Sequence, residues 1–433
     1  VAVVDSYAPF IFELRIRLAD GTEEVIPAHE FFQSLTIDET TNAAWKGTLT
    51  LFDKLDGKGY LAGLIFATGY NSRLRMRWNW DVPSAGLARA PMYEAKILKF
   101  LPTFSHTGDT IVLEFMADAP AVAVLDKQSR QGWGGGKKAS EIVAEIAASR
   151  DWIVTDDEGN STIDTTDPPL ERAISYSGES DLRLIREKLL PYTVSSDGRH
   201  YEFYFDRNNV LHFHPIDHGK RARVAQRSYT KLRDPMGEVI EFAPEDDAVY
   251  SALWGSASAE YVAADAGTGV FTQETTTSTK GGEADAITHT PDEGYVHPVA
   301  PDGQRQARIP LMTRDRNEMA RMAQARYSWV TAHAVKAKLV VKGSHDLTLL
   351  SVVNIEHLTG AGTKHWLAGL YEVFSIQHEM GESAWQTTYT LGRGGVAANA
   401  PGAVKKEGAE RSIELDPQPR RGVKSRQTTT TTE

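Results

Sequence analysis

The chain has 433 residues, enough for several domains with buried cores. With 41% apolar and 24% charged residues it has the composition of a globular protein, and with no cysteine it can build neither disulfides nor thiolate metal sites. A formal net charge of −11 argues against a surface that wraps nucleic acid, whereas an acidic wall would suit a conduit through which DNA slides without sticking.

No apolar run approaches the roughly 20 residues that span a bilayer, so no membrane insertion is expected. The opening Val1-Ala-Val-Val-Asp5 shows none of the marks of a signal peptide. Residues 1 to about 125 read as β. Phe10, Phe12, Leu14, Ile16 and Leu18 alternate with more polar residues, as do Leu49 and Leu51. Leu74, Met76, Trp78 and Trp80 alternate with Arg73, Arg75, Arg77 and Asn79, and Ile111, Leu113 and Phe115 mark a further strand. Asp20-Gly21 is a turn signal. Regularly spaced strands with turns between them predict a barrel or sandwich.

Gly132-Trp-Gly-Gly-Gly136 reads as a flexible hinge. A helix is expected after it, with Ser140 as N-cap and Ile142, Val143, Ile146 and Ala147 on one face. A second helix from about Ser180 groups Leu182, Ile185 and Leu189 and stops before Pro191. Aromatic strands follow at Tyr201–Phe205 and Val210–His214. Residues 131–220 therefore read as an α+β middle domain between a first β domain, 1–130, and a second, 221–395.

The second β domain carries a long insertion at 256–305, rich in Ala, Gly, Thr and acidic residues, which reads as a loop. A third helix is expected from Thr313 to Ala332, with Met319, Met322, Ala323, Tyr327 and Val330 on its apolar face. Strands are expected at Val335–Val341, Val352–Glu356, Tyr371–Gln377 and Trp385–Leu391. Residues 396–433 form a low-complexity tail ending in a threonine run, with a slight basic excess. The tail reads as a solvated, disordered segment or, more sharply, as a strap that orders when it lies on a neighbouring tail protein.

Several groups invite a chemical reading. Ser180-Asp181 could suggest a nucleophile, but a helix cap and a charge at the positive helix end explain both residues, and no Gly-x-Ser-x-Gly elbow exists. Alternation puts His212 and His214 on one strand face. With His200, Asp217 or His218 they could hold a metal, against the simpler reading of a polar face. Carboxylates such as Glu245-Asp-Asp247 could serve a glycosidase only at a defined separation. Arg73, Arg75 and Arg77 form a basic strand face that could meet DNA, and is better read as pairing with a neighbouring subunit or facing solvent. Gly132 to Lys137 lacks the spacing of a phosphate loop. No catalytic, cofactor-binding or metal residue is therefore assigned: the expectation is no enzyme and no cofactor.

Five pieces in order resemble a known family. They are Lys138 to Ala147, Glu179-Ser-Asp-Leu182 with Leu189, Asn317 to Ala325, Gly369-Leu-Tyr-Glu-Val-Phe-Ser-Ile-Gln-His378, and Thr387 to Leu391. Together they resemble the late-control protein D family of phage tail baseplate hubs, which is similar to the N-terminal half of type VI secretion spike proteins. Two departures stand out. Leu184-Ile185 replaces a usual Phe-Leu, and Leu349-Leu-Ser351 stands where a Gly usually precedes the next strand.

The resemblance implies a mainly β fold with two tail-tube-like β-barrels and a small α+β domain, closing as a homotrimeric ring with pseudo-six-fold symmetry. It implies a structural hub in the virion, assembled in the host cytoplasm, that joins the six-fold tube to the three-fold spike. Partners would be tail tube or distal tail proteins, a spike or cap, and other baseplate proteins, with DNA only as passing cargo. The alternatives are a tail-associated peptidoglycan hydrolase, or the spike base of a contractile secretion system of type VI kind.

Overall fold

A computed structural model describes residues 10–17, 21–53, 72–80, 87, 90–125, 132–167, 169–170, 173–176, 178–193, 195, 200–216, 226–229, 239–246, 256–264, 271–279, 295–296, 306–309, 335–355, 369–382, 384–393, 396–397 and 426–430. Seven strands come first: β1 (Phe10–Arg17), β2 (Glu23–Ile26), β3 (Phe32–Thr40), β4 (Lys46–Asp53), β5 (Arg73–Trp80), β6 (Tyr93–Ser105) and β7 (Gly108–Ala117). A single helical turn, α1 (Ala28–Phe31), leads into β3. The predicted alternation holds: Leu14, Ile16, Leu49, Leu51, Leu74, Met76, Trp78, Ile111, Leu113 and Phe115 are all buried, because successive side chains of a strand point to opposite faces.

Helix α2 (Asp118–Leu125) closes this segment. The next begins with a two-residue strand, β8 (Gly132–Trp133), paired with β9 (Ile174–Ser175). The glycine run is thus not a free hinge. Trp133 is buried and its Nε1 donates to Glu145 Oε2 at 2.6 Å, so an aromatic anchor ties the run down. Helix α3 (Ala139–Ser149) buries the predicted face of Ile142, Val143, Ile146 and Ala147. Its N-cap is Lys138, not Ser140. Ser140 lies inside the helix and bonds Thr166, whose hydroxyl accepts from the Ser140 N–H at 3.0 Å.

Helix α4 (Asp181–Leu184) starts at Ser180, whose hydroxyl accepts from the Arg183 N–H at 3.4 Å. It widens into a π turn over Ile185–Leu189 and tightens into a 3₁₀ turn at Leu190–Tyr192. Leu184 and Ile185, the departure from the family pattern, are fully buried. The hairpin β10 (Tyr201–Phe205) and β11 (Leu211–Pro215) follows.

The later strands are β12 (Gln226–Tyr229), β13 (Val239–Asp246), β14 (Ser256–Ala264), β15 (Phe271–Thr279), β16 (Tyr295–Val296), β17 (Gln306–Ile309), β18 (Val335–Lys342), β19 (Val352–Ile355), β20 (Gly369–Gly381), β21 (Trp385–Arg393), β22 (Val396–Ala397) and β23 (Arg426–Thr430). Part of the insertion is therefore a hairpin rather than a loop. β14 and β15 pair over nine residues each, with β17 and the tail strand β23 lying parallel on their outer sides. The threonine runs explain this, since β-branched side chains favour a pleated ladder. The expected helix at 313–332 lies outside the described residues. No helix among those residues is long and apolar enough to cross a membrane.

The first seven strands join β12, β13 and β18–β21 in one hydrogen-bonded sheet. Its order is β13-β18-β21-β20-β3-β4-β7-β6-β5-β1-β2, with β19 on β20 and β12 parallel on β19. The seam between the two halves is β3 against β20, antiparallel, with Ile37 opposite His378 and Glu39 opposite Ile376. Core residues cross the seam: Met380 and Trp385 join the apolar core of the first strands and of α3, while Tyr204 and Ile216 join that of β18–β21.

Candidate functional site

The buried face of β3 carries Leu35, Ile37 and Glu39 in alternation. Two are ordinary core residues, and the third is a carboxylate with 2% exposure. Across the seam the buried face of β20 carries Ile376, His378 and Met380. Two polar side chains thus occupy positions where the strand pattern demands apolar ones, and they meet diagonally across the seam with His378 Nε2 3.5 Å from Glu39 Oε1.

The turn between β10 and β11 supplies the third group. Asp206 organises it, its Oδ1 accepting from the N–H groups of Asn208 and Val210 at 2.9 Å each. Asn209 takes a left-handed φ of 61°, which Asn tolerates better than most residues. The turn is pinned to the first strands: Trp45 Nε1 donates to the Asp206 carbonyl at 3.2 Å and Asn209 Nδ2 to the Glu94 carbonyl at 3.1 Å. So held, Arg207 enters the seam. Its Nε donates to Glu39 Oε1 at 2.9 Å, and its two terminal nitrogens donate to the carbonyls of His345 and Leu347 at 2.8 Å each. One side chain therefore joins β3, the β10–β11 turn and the loop between β18 and β19.

Aromatic rings wall the junction. Tyr93 donates its hydroxyl to the same Glu39 oxygen at 2.7 Å and stacks on Trp78 with centroids 5.0 Å apart. His345 lies 4.8 Å from the rings of both Trp78 and Trp385, and its Nε2 is 2.9 Å from the Trp78 carbonyl. Trp80 Nε1 reaches the Gly343 carbonyl at 2.6 Å.

Burial by itself would raise the Glu39 pKa, but Arg207, with His378 and Tyr93, outweighs it and holds the carboxyl at about 2. Burial would likewise lower Arg207, and the Glu39 charge keeps it raised. His345 is pushed well below its usual value by burial, with His378 and Arg207 adding to the effect. His378 is lowered by burial, with Glu39 opposing. The junction therefore contains one ion pair and two neutral imidazoles away from water. Such an arrangement specifies one docking geometry, because any shift leaves a charge buried without its counter-charge.

The residues singled out from sequence lie elsewhere. Asp181 is buried and accepts from Arg150 Nε at 2.6 Å and from the Tyr176 hydroxyl, so it ties α4 to the end of α3. His212 stacks on Tyr204 with centroids 4.7 Å apart and lies 3.3 Å from Asp206. His214 is buried beside the Pro215 carbonyl at 3.1 Å. Asp217 and His218 lie outside the described residues, as does Asp247. Among the described residues no three of His, Cys, Asp or Glu come close enough to hold a metal ion.

The basic face expected to meet solvent or a neighbouring subunit is neutralised within the chain. Arg77 pairs with Glu13 at 2.5 Å, Arg75 with Glu94 and Glu23 at 2.8 and 2.9 Å, and Arg73 with Asp118 at 3.1 Å. Sequence reasoning passed over Glu39 and Arg207. The signal for Glu39 was present as a carboxylate in register with Leu35 and Ile37. Arg207, in a turn, carried none.

No protein-family model matches the chain, and no curated protein does. Solved structures do. A 43 kDa tail protein of prophage MuSo2 from Shewanella oneidensis is similar with a TM-score of 0.56 at 10% identity, over 88% of this chain and 98% of that one. A tail protein from Neisseria meningitidis is similar with a TM-score of 0.52 at 10% identity, over 88% and 96%. A chain of the Francisella PdpA-VgrG complex gives 0.50 at 7% identity, over 93% of this chain but 55% of that one, so this chain spans about half its length. The chain thus has the fold of phage tail proteins and of part of a VgrG complex, in keeping with the hub resemblance of its sequence.

Proposed function

We propose that the chain is the structural hub of a bacteriophage tail baseplate, a homotrimer whose ring joins the six-fold tail tube to a three-fold spike and continues the DNA channel. The observation that carries this reading is the fold likeness to the Shewanella prophage tail protein, which runs through nearly the whole of both chains. Each half of the sheet would correspond to one tube-like barrel, so three chains supply six. Ring closure would also cover strand edges that are otherwise open to unwanted pairing. The Arg207 junction supports a mechanical role, since a ring element under axial load needs its parts held in one geometry.

In this reading the chain is not an enzyme. Tube or distal tail proteins bind one end of the ring, a spike or cap the other, and further baseplate proteins its rim. DNA only passes through. The protein resides in the virion tail and is assembled in the host cytoplasm. A second reading, the spike base of a contractile secretion system, draws on the likeness to the Francisella complex.

The test is the mass of the purified protein by light scattering at several concentrations, alone and with tube and spike proteins, followed by electron microscopy of the product. A three-fold ring with an axial channel is expected. A monomer that forms no ring with either partner would overturn the hub reading. Clearing of a peptidoglycan zymogram would move the assignment to a hydrolase.

A further inference from the structure

We propose that a second copy of the chain extends the sheet, its β13 pairing with the second half of β6 in the way that β3 pairs with β20 inside one chain. The two halves of the sheet repeat one another strand for strand. The order β3-β4-β7-β6-β5 matches β13-β18-β21-β20-β19. β6 and β20 are each 13 residues long. The first four residues of each pair with β5 and with β19, Tyr93 lying opposite Met76 and Gly369 opposite Ile355. A bulge follows the fifth residue in both, between Ile97 and Lys99 and between Val373 and Ser375. β3 and β13 also bulge at one corresponding place, between Phe32 and Ser34 and between Val239 and Glu241. Bulges are specific features of a ladder, so their match fixes the correspondence residue by residue.

The repeat is completed on one side only. Within the chain, β3 covers the edge of β20 from Ser375 to Gly381. The corresponding edge of β6, from Lys99 to Ser105, has no strand beside it among the described residues, and among them β13 ends the sheet. Such edges are templates for a further strand. The correspondence also gives the register. Leu35 opposite Met380 becomes Phe242 of one copy opposite Phe104 of the next, and Thr36 opposite Glu379 becomes Ala243 opposite Thr103. Met380 is 3% exposed inside the seam, whereas its counterpart Phe104 is 62% exposed. Leu101 and Ile240, on the same two strands, are 48% and 59% exposed. Pairing would cover apolar surface that a lone copy leaves in water.

One rung differs. Ile37 opposite His378 becomes Pro244 opposite Pro102, and neither proline has an N–H. The Gly381 N–H turns inward to the Ala384 carbonyl at 2.9 Å, so by alternation Met380 and His378 turn theirs to β3. The matched prolines therefore remove the two bonds of their rung and leave those of the Phe242–Phe104 rung. The joint between copies is thus weaker than the seam within one, and is the joint that opens on dilution. The contact is head to tail, so it closes a ring or runs on as a filament. Closure at three copies rests on the hub reading above.

The chain has no cysteine, so an introduced pair reports the contact cleanly. Full-length Thr103→Cys and Ala243→Cys chains are mixed at several concentrations, alone and with tube and spike proteins, and oxidised. Wild-type mass is followed in parallel by light scattering. The mixture should link position 103 to position 243, whose Cα atoms on a rung of this kind stand about 4.5 Å apart. Neither chain alone should link. Thr103→Cys with Glu241→Cys lies on a diagonal of roughly 7–8 Å and should lose the link. Phe104→Ser added to the Thr103→Cys chain should lower the linked fraction. The double variant Thr103→Cys/Ala243→Cys should stop at a covalent trimer. Links that run past three copies would uphold the pairing and overturn the trimeric ring. A wild-type trimer without the 103–243 link would overturn the pairing and leave the hub reading standing. No 103–243 link in any mixture overturns the pairing as well.

Discussion

Arg207 and Glu39, 168 residues apart in the chain, meet at 2.9 Å with side-chain exposures of 7% and 2%. The contact joins the β10–β11 turn to the strand that forms one side of the sheet's seam. Removing one partner leaves the other charged and buried. Arg207→Ala and Glu39→Gln should each cost about 3–5 kcal/mol by chemical denaturation. The double variant Arg207→Met/Glu39→Leu should recover part of that loss, because no lone charge remains. It should not recover all, since the carbonyls of His345 and Leu347 lose their donor. Additive losses would show that the pair is not coupled.

Acid should loosen the junction in two stages. His345 and His378 are held neutral by burial, so their contribution is complete above pH 6.5 and is lost as pH falls below it. Glu39 is depressed to about 2, so its contribution is complete above about pH 4.5 and is lost as pH falls towards 2. Urea midpoints from pH 7 to 3 should decline in both intervals. Glu39→Gln should lose the lower stage and keep the upper, whereas an unchanged lower stage would assign it to other carboxylates.

Leu350 takes a left-handed φ of 61° while almost fully buried. The strain costs about 1–2 kcal/mol and the buried side chain contributes about 2–5 kcal/mol, so the side chain wins. Leu350→Ala should destabilise most, because it keeps the strain and loses the contacts. Leu350→Gly should be more stable than Leu350→Ala by about 1 kcal/mol, the reverse of the usual Ala-over-Gly order. Thermal unfolding of the two variants checks the sign.

Close packing beside the seam forbids a methyl group at Gly343, where a Cβ would lie 1.9 Å from the Trp385 ring. Gly343→Ala should cost about 1–3 kcal/mol or more through displacement of Trp385. Gly134, with nothing within 4 Å of its Cβ direction, should accept Ala with little change. Near-ultraviolet circular dichroism should change in the first variant only.

Ser180 and Asp181, adjacent in sequence, should separate in effect. Ser180→Ala removes a cap and should cost about 1 kcal/mol. Asp181→Ala strands Arg150, whose side chain is 13% exposed, and should cost more. Equal losses would place both in the cap alone.

Much of the architecture was legible in the sequence because strand and helix periodicity is local. The alternations around Leu14, Leu74 and Ile111, and the apolar face of Ile142 to Ala147, name buried residues without reference to any partner. The Gly369 to His378 piece, which carries the family resemblance, proved to be the seam strand β20. Local reading failed where a distant group decided the outcome. Composition made Gly132 to Gly136 a hinge, but Glu145 captures Trp133. Alternation put Arg73 to Arg77 on the outward face of their strand, as observed, but charge left their partners to a neighbour, whereas Glu13, Glu94, Glu23 and Asp118 come to them from other elements of the chain. The insertion's composition reads as loop, but a ladder needs a second strand, and its register lies outside any short window.

The sequence by itself determined which residues turn inward on each strand and helix, since a side chain's direction follows from backbone geometry within a few residues. Only the tertiary structure decided which strands meet, and therefore that Glu39, Arg207 and His378 share one buried site. The energy of a buried charge depends on a counter-charge a few ångströms away in space, and a sequence separation of 168 residues carries no trace of that distance.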